Sequence, residues 1–435
     1  MAPGANGVET PVLLPYNHRP HAPTDVTQGP PRVSPTPAAA PLASGGGSPV
    51  RATFLPVARP WIGEREKQLV LETLDSGWIT TGPRSEELGR RVAQRVGMPH
   101  GIAVNSATGA LHLALAALGV GPGDEVITAA YTFVACVNVI EHVGARPVLV
   151  DVEPDTLCMD PRAVERAITP RTRVLMPVDY GGHPCDLDVL LALARRHGIA
   201  MVEAAAHALG ASWRGRPVGG WADVTAFSFY ATKNLTTGEG GAAVTADEAL
   251  AERMGLLSLH GMNRDAWKRY TDTGSWYYEV TAPGFKYNLS DVLAAIGLGQ
   301  LEHFDEMQRL RREHAARYDT LLADVPEVRR PAARPEAVHA WHLYPIALEL
   351  ERLSCDRASF IQELRAENIG TSVHFIPIHY HPHFRATLGH AAGAFPVTED
   401  AYRRAVTLPL FPGMSGEDVE DVVAAVKKVV AHYRK

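Results

Sequence analysis

From Thr53 onward, short strands of apolar and β-branched residues alternate with amphipathic helical stretches. DEVITAA is followed by the helical FVACVNVIEHVG and then by RPVLVDV; later, RVLMPVDY is followed by DLDVLLALARRHG and then by IAMVEAA. Such alternation is typical of βαβ units. Strands such as VLMPV are apolar at successive positions, as expected where helices cover both faces of a parallel sheet. The pattern predicts a doubly wound α/β domain.

The chain divides into three segments that differ in composition and in the pattern of apolar residues. Residues 1–52 contain PPRVSPTPAAAPLASGGGSP, which has few large apolar groups to offset the entropy of ordering, so a disordered tail is predicted. Residues 53–300 form the predicted large domain. A long helical run from Leu289 to Tyr318 is expected to bridge domains, and a smaller α/β domain is predicted over 301–435. In that segment, the strings HLYPIALEL and NIGTSVHF are predicted to be strands, and EDVEDVVAAVKKVVAHY is predicted to be an amphipathic helix at the end of the chain.

Composition excludes several kinds of partner and site. The 435 residues include 42 Lys+Arg and 48 Asp+Glu, a formal net charge of -6, which leaves no basic field for nucleic acid or anionic lipid. The four cysteines form no CxxC pair, which argues against a disulfide framework or structural zinc and for a reducing compartment. No apolar run approaches the roughly 20 residues of a spanning helix, and the first residues lack a secretory signal pattern. We therefore expect a cytoplasmic protein.

The segment GIAVNSATGALHLALAALGVG reads as a strand, a polar turn and a helix. Asn105 to Gly109 would place free backbone N–H groups and hydroxyls at the N-terminus of that helix. Such an arrangement binds anions. A plain capping turn explains the same residues, so the segment alone leaves both interpretations open.

A second segment, VTAFSFYATKNLTTGEGGAAVT, places Lys233 in a Ser/Thr/Gly-rich loop between two strands. Partial desolvation there would lower the lysine pKa and raise its neutral fraction, which suits a Schiff-base nucleophile. A solvated surface lysine is the alternative. Just upstream, IAMVEAAAHALGA brings Glu203 to His207 to the carboxyl end of a strand, the edge that faces the ligand crevice in open α/β sheets.

Taken together, these residues resemble the DegT/DnrJ/EryC1/StrS sugar aminotransferases, which are fold type I (aspartate aminotransferase-like) enzymes that use pyridoxal 5′-phosphate (PLP). The resemblance runs from about Phe54 to the C-terminus and is nearest to the UDP-4-amino-4-deoxy-L-arabinose synthase type. The strings that carry it include LDSGWITTGP, NSATGALHLALAALGVGPGDEVI, PVDYGGHPCDLD, AAHALGA, FSFYATKNLTTGEGG, APGFKYNLSDVLAAIGLGQL, AWHL and LPLFPGMS. It implies transfer of an amino group, from glutamate, to a keto group of a nucleotide-activated sugar, with the 4-keto position favoured. It also implies a homodimer with shared active sites.

The resemblance assigns site residues by position. It implies that Lys233 forms the internal aldimine with PLP and later shuttles protons. The other positions that it implies for the cofactor are Ala107, Thr108 and Ser228 at the phosphate, Asn288 of the partner subunit at the phosphate, Phe133 stacked on the ring, and His207 beside it.

One cofactor-binding position departs from the family pattern. The family string normally reads Glu-Asp-Ala-Ala-His, and its Asp bonds the pyridine nitrogen, whereas here VEAAAHALG places Ala204 there. The cofactor would then be a weaker electron sink. Glu203 should face away, because adjacent side chains on a strand point to opposite faces. Three interpretations stay open: an enzyme impaired by a substitution, a natural relative that tolerates an unprotonated ring, or a regulatory or scaffolding subunit.

A further enzyme class, the related sugar 3-dehydratases, uses the aminated cofactor (PMP) and replaces the lysine by His, so Lys233 argues against it. The stretch HFIPIHYHPHF suggests metal binding, but its spacing suits tetrahedral zinc poorly and no acidic or thiol ligand is near in sequence. No metal is therefore predicted. His374 and His379 fall where the family places histidines and are assigned to the sugar or nucleotide. The remaining substrate-side candidates are Trp78, Thr80, His260 and Trp267, with core packing as the alternative for the two tryptophans.

Overall fold

The computed structural model describes residues 41–263 and 277–435. The strands in these ranges are β1 (His100–Val104), β2 (Glu125–Ala129), β3 (Arg146–Val150), β4 (Thr172–Met176), β5 (Ala200–Ala204), β6 (Ser212–Trp213), β7 (Arg216–Pro217), β8 (Val224–Ser228), β9 (Gly241–Thr245), β10 (Val328–Arg329), β11 (Ala337–Val338), β12 (Tyr344–Leu348) and β13 (Ala405–Leu408). The α-helices are α1 (Glu64–Asp75), α2 (Pro83–Arg95), α3 (Ala107–Ala117), α4 (Ala135–His142), α5 (Pro161–Ala167), α6 (Leu187–His197), α7 (Glu248–Ser258), α8 (Asp291–Leu321), α9 (Arg357–Ala366), α10 (Pro382–Leu388), α11 (Pro396–Arg404) and α12 (Gly416–Tyr433).

A seven-stranded sheet forms the larger core, in the order β1-β9-β8-β5-β4-β2-β3. Six of these strands run in one direction, and β9 runs antiparallel to both of its neighbours, β1 and β8. Every residue of β2 and of β9 is buried, as expected where helices cover both faces of a sheet. The predicted doubly wound α/β architecture is confirmed, apart from the reversed direction of β9.

A second core surrounds the three-stranded sheet β10-β12-β13. It is built from β12, β13, α9, α12 and the C-terminal part of α8. The predicted strand in HLYPIALEL is confirmed as β12, but the predicted strand in NIGTSVHF is wrong. In that segment Ile369 bridges Leu55 and Ser372 bridges Thr407, one residue each. Its backbone groups are thus divided between two partners, which prevents a continuous ladder.

Helix α8 joins the two cores. Ser290 caps it by accepting a hydrogen bond from the Leu293 N–H at 3.5 Å, and the helix continues for 31 residues. Ala294 lies in the larger core and Tyr318 in the smaller one. The sequence-based expectation of a bridging helix is confirmed, and the division predicted between residues 300 and 301 falls inside this helix.

Residues 41–52, the last part of the predicted disordered tail, are folded onto the smaller core, so the tail prediction is wrong for that stretch. Leu42 is buried within that core. The carboxylate of Glu367 accepts hydrogen bonds from the backbone N–H groups of Ala43 and Val50, both at 2.9 Å. A buried acceptor therefore orders a segment that has few large side chains of its own. The rest of the predicted tail lies outside the described residues.

None of the helices in the two described ranges has the length and apolar character that crossing a membrane requires.

Candidate active site

Lys233 lies in the loop that connects β8 to β9. Its backbone N–H donates to the Tyr230 carbonyl at 2.9 Å, and the Thr237 N–H donates to the Phe229 carbonyl at 2.9 Å, which closes the base of the loop. The side chain is half-buried, and burial lowers the pKa of the Lys233 amine to about 8. Roughly a tenth of the amine is then neutral at pH 7, far more than for an ordinary lysine. The amine is thus suited to nucleophilic chemistry.

The N-terminus of α3 supplies free hydrogen-bond donors near this loop. Ser106 caps the helix, because its hydroxyl accepts from the Gly109 N–H at 3.0 Å. Among the described residues, no acceptor is found for the N–H groups of Ala107 and Thr108. Unpaired N–H groups at a helix N-terminus favour an anion. The turn is therefore a cap and also keeps two donors available for an anion.

The pairing of β8 with β9 brings Ser228 to the same place. Ser228 lies opposite Gly241 in this antiparallel pair. A Cβ atom on Gly241 would lie 2.6 Å from the backbone nitrogen of Ala107, so only glycine allows this approach. Ser228, Ala107 and Thr108, the three positions that the family resemblance implies for the phosphate, are thus grouped at one end of the sheet.

A cluster of aromatic side chains includes His207, a ring on which the charge of Lys233 acts. The rings of His207 and Phe375 are stacked, with centroids 5.8 Å apart, and Phe375 lies 5.9 Å from Phe133. Phe133 is 57% exposed, which leaves a large part of its surface free to contact a flat ring. His207 accepts a hydrogen bond at Nδ1 from the Gly181 N–H at 3.2 Å, so the neutral ring carries its proton on Nε2.

Three histidines near Lys233 are held in the neutral form. Burial, followed by the charge of Lys233, lowers the pKa of His374 to about 4. Burial also lowers the pKa of His207 and of His342 well below the usual value, and the charge of Lys233 contributes to both shifts. The His374 Nδ1 pairs with the Thr407 hydroxyl at 2.9 Å. Three uncharged rings therefore lie close enough to Lys233 for its charge to affect their pKa values.

Ala204 ends β5 and is paired with Ala226 on β8 and, through an isolated bridge, with Val178, which lies just beyond β4. Its neighbour Glu203 faces away, as predicted: its Oε2 accepts from the Thr225 hydroxyl at 2.7 Å and from the Gly219 N–H at 3.2 Å.

Asp179, which follows β4, lies beside Glu203 on that far face. Burial, followed by the charge of Glu203, raises the pKa of Asp179 well above the usual value, and burial raises the pKa of Glu203 to about 7. Asp179 also accepts from the Cys185 N–H at 2.9 Å. Two neighbouring buried carboxyls cannot both be ionised at low cost, so burial favours a proton on at least one of them. Within the described residues, the second oxygen of each carboxyl group, Asp179 Oδ2 and Glu203 Oε1, has no hydrogen-bond partner.

Three other candidates lie together at the start of α8. The Trp78 indole donates to the Thr81 carbonyl at 3.1 Å, and the Thr80 carbonyl accepts from the Asp291 N–H at 3.0 Å. The Asn288 amide donates to the Thr81 hydroxyl. Asn288 also bridges Val104 at the end of β1, so it lies close to the α3 turn of its own chain.

The structure does not bring two predicted substrate-side residues to Lys233. His379 is buried, and its Nε2 pairs with Glu399 at 2.9 Å. His260 is exposed, and its N–H donates to the Phe285 carbonyl at 2.7 Å. In the part of the chain that the structure describes, no contact joins either histidine to the Lys233 group, and no cluster of three or more His, Cys, Asp or Glu could hold a metal. Trp267 lies outside the described residues.

Three residues of the site were not singled out from the sequence: Tyr180, His342 and Phe375. The Tyr180 hydroxyl donates to the His374 carbonyl at 2.6 Å, and the His342 ring lies 4.4 Å from the His207 ring. Tyr180 and His342 occur in PVDYGGHPCDLD and AWHL, two strings that carried the family resemblance, whereas Phe375 occurs in the histidine-rich stretch HFIPIHYHPHF. Their positions near Lys233 depend on contacts between segments more than a hundred residues apart, which spacing along the chain does not reveal.

Comparison with known proteins identifies the family. A model described as the DegT/DnrJ/EryC1/StrS aminotransferase family matches residues 60–427. The chain belongs to the DegT/DnrJ/EryC1/StrS aminotransferase family. It is 48% identical over 381 residues to the spore coat polysaccharide biosynthesis protein SpsC of Bacillus subtilis, covering 87% of this chain and 98% of SpsC.

Solved members of the DegT/DnrJ/EryC1/StrS family share the fold. The PLP form of Spr1654 from Streptococcus pneumoniae superimposes with a TM-score of 0.80 at 36% identity, over 86% of this chain and 98% of that one, and a PMP form is also known. DesI, solved in the presence of its TDP-sugar product, gives a TM-score of 0.79 at 32% identity, over 90% and 96%. The chain is therefore a PLP-dependent sugar aminotransferase of fold type I, and PLP is its cofactor.

Proposed function

We propose that this aminotransferase transfers an amino group from glutamate to the 4-keto group of a nucleotide-activated sugar, as in the UDP-4-amino-4-deoxy-L-arabinose synthase type, and that Lys233 binds the cofactor. The observation that carries the proposal is the grouping of a half-buried amine of lowered pKa with the free N–H groups at the start of α3. A nucleotide-activated substrate is supported by DesI, whose structure was determined with a TDP-sugar product.

The donors of the site fit PLP. A phosphate dianion would be held by the N–H groups of Ala107 and Thr108 and by the Ser228 hydroxyl. The exposed face of Phe133 suits a pyridine ring, and His207 would lie beside it. The Ala204 methyl group offers no charge to the ring nitrogen, so the ring would be held without a carboxylate partner. We further propose that Asn288 reaches the phosphate of the partner subunit.

Bound PLP supplies the electron sink that weakens a C–H bond next to the amino nitrogen. The Lys233 amine would take that proton and return it at the neighbouring carbon, and a pKa near 8 allows both steps at neutral pH. His207 and His374 are neutral, so they do not compete with Lys233 for the proton at neutral pH. The aromatic rings of Phe133 and Phe375 would exclude water from the reacting atoms.

The substrate assignment is tested by direct amination. The holoenzyme would be incubated with glutamate carrying a labelled amino nitrogen and with 4-keto sugars activated by UDP or TDP. We expect the label in the sugar product by mass spectrometry. A 3-keto nucleotide sugar and an unactivated 4-keto sugar are the controls. Transfer to the 3-keto compound in preference to the 4-keto compounds would refute the proposed position, and transfer to the free sugar would refute the nucleotide requirement.

A homodimer is proposed for the same protein. Large apolar side chains are exposed at Trp61, Ile62, Leu71, Leu74 and Ile79, and Leu71 is 60% exposed. Exposed large apolar side chains are frequent at association surfaces. Sedimentation should give a dimer, and Leu71→Glu combined with Leu74→Glu should shift it to monomer and lower activity in parallel. A monomeric parent protein, or a monomeric variant with full activity, would overturn the shared-site proposal.

The regulatory or scaffolding alternative is supported by Ala204 alone, and the substitution Ala204→Asp tests it. A cytoplasmic location is supported by the four cysteines, all of which are free thiols. Cell fractionation that recovered the protein from an oxidising compartment would contradict that location.

A further inference from the structure

A buried guanidinium on α8 has no acidic partner in either described range. Arg311 is 3% exposed, and burial lowers its pKa to about 9. Its Nη1 donates to three main-chain carbonyls: those of Leu410 at 3.0 Å, Trp341 at 3.2 Å and His342 at 3.5 Å. A buried charge is costly unless it is hydrogen-bonded. Arg311 therefore depends on these carbonyls, and the segment around His342 is in turn anchored to α8.

The His342 ring is fixed in one tautomer by Asn234, the residue after Lys233. The Asn234 Nδ2 donates to the Ala340 carbonyl at 2.8 Å, and because a carbonyl can only accept, this contact orients the amide. The Asn234 Oδ1 then faces the His342 Nδ1 at 3.1 Å. An oxygen acceptor requires a donor, so His342 carries its proton on Nδ1.

The backbone around His342 is held as firmly as its ring. The His342 N–H donates to the Gly181 carbonyl at 3.0 Å, and the Ala340 N–H donates to the Gly182 carbonyl at 2.9 Å. A Cβ on Gly182 would lie 3.1 Å from the His342 nitrogen, so this packing requires glycine. Gly181 also donates to His207. One turn therefore supports both histidines.

We propose that His342 is a positioning residue for Lys233: by donating to Asn234 it holds the Lys233 loop against the 340–343 segment, with Arg311 as the anchor on α8. This inference rests on the role of Lys233 in the proposed function. Its consequence is that the loop stays closed and the amine stays out of water. In the described chain, the charge of Lys233 lowers the pKa values of three neutral groups, His207, His342 and His374, and Arg311 donates to the His342 carbonyl.

The test is the pH dependence of PLP capture by cofactor-depleted full-length protein, followed by the absorption of the bound cofactor. Capture by the parent should rise with pH through a midpoint near pH 8, where the Lys233 amine becomes neutral. His342→Leu breaks the contact with Asn234 and admits water, so the midpoint should rise by about one pH unit. Capture at pH 7 would then be about tenfold slower.

Two variants make the result specific. His342→Asn can place an amide donor where the Nδ1 proton lies, and its midpoint should return to within about 0.3 pH unit of the parent. His339→Leu removes another buried histidine of the same segment, which stacks on Trp341 with centroids 3.9 Å apart. Its midpoint should match the parent even if its melting temperature falls. If His342→Leu fails to fold, Asn234→Leu removes the same hydrogen bond from the other side.

The outcomes are separable. A parent-like midpoint for His342→Leu, or an equal shift for His339→Leu, would overturn the positioning role. Failure of His342→Asn to restore the midpoint would overturn the hydrogen bond as its cause. Capture by Lys233→Ala at the parent rate would instead overturn the proposed role of Lys233, because the midpoint would then report some other group.

Discussion

Replacing Lys233 with alanine should abolish the absorption band of the bound cofactor and slow the glutamate-driven amination of the cofactor by about a thousandfold or more. The variant loses both the covalent attachment of PLP and the proton-transferring amine, and a general acid–base group alone is worth roughly 10²–10⁴ in rate. Absorption spectra of purified protein and single-turnover mixing with glutamate measure the two effects. Because the Lys233 side chain is half-buried and makes no ion pair in the described chain, the fold should survive.

Lys67→Ala is the matched control for this experiment. Lys67 is an exposed lysine on α1 that pairs with Glu64 at 2.5 Å, and such surface pairs contribute little to stability. Its spectrum and rate should match those of the parent. If Lys233→Ala retains the band, the lysine that binds PLP is a different one and the proposed site is wrong.

Introducing a carboxylate at Ala204 should raise the rate of glutamate-driven cofactor amination by roughly 10²–10³. A charge beside the pyridine nitrogen would keep the ring protonated and improve the electron sink, and one preorganised polar group at a reacting centre is worth about that factor. Stopped-flow absorption with glutamate measures the rate. Ala204→Asn is the control for Ala204→Asp, since an asparagine side chain has nearly the size of aspartate but no charge. We expect its rate to be within a few-fold of that of the parent protein.

Ala204→Asp should also make stability depend on the cofactor. The new side chain would lie between Val178 and Ala226, and without PLP its carboxylate would be buried in apolar surroundings. A buried unpaired charge raises its own pKa and destabilises the fold. The melting temperature should therefore fall in the cofactor-free variant and recover with PLP. No gain in rate, together with no binding of PLP by the parent protein, would instead favour the regulatory or scaffolding alternative.

Local pattern was sufficient for the elements that hold the site. Runs of apolar residues predict the buried strands, and apolar residues at the helical period predict α8. Both patterns depend only on residues that are near each other in sequence. The Lys233 loop and the α3 turn were found for the same reason. The predicted strand in NIGTSVHF failed because Leu55 and Thr407 compete for its backbone, and residues 41–52 were missed because Glu367 is distant in sequence.

The histidines show where sequence reasoning stops. His374 and His379 look equivalent in HFIPIHYHPHF, yet the charge of Lys233 lowers the pKa of His374, whereas His379 pairs with Glu399. His342 was not singled out, although it contacts the residue next to Lys233. Which histidine reaches the amine is decided by how the smaller core packs on the larger one, and no local period encodes that packing.

The continuity of α8 couples the two cores thermodynamically. A helix of 31 residues is about 46 Å long, and α8 contributes side chains to both cores. If the smaller core unfolded alone, the C-terminal turns of α8 would lose their packing. A few helical turns without tertiary packing are only marginally stable in water. Arg311 would also lose its carbonyl acceptors at the same time. The two cores therefore favour one cooperative unfolding transition, although each has its own sheet.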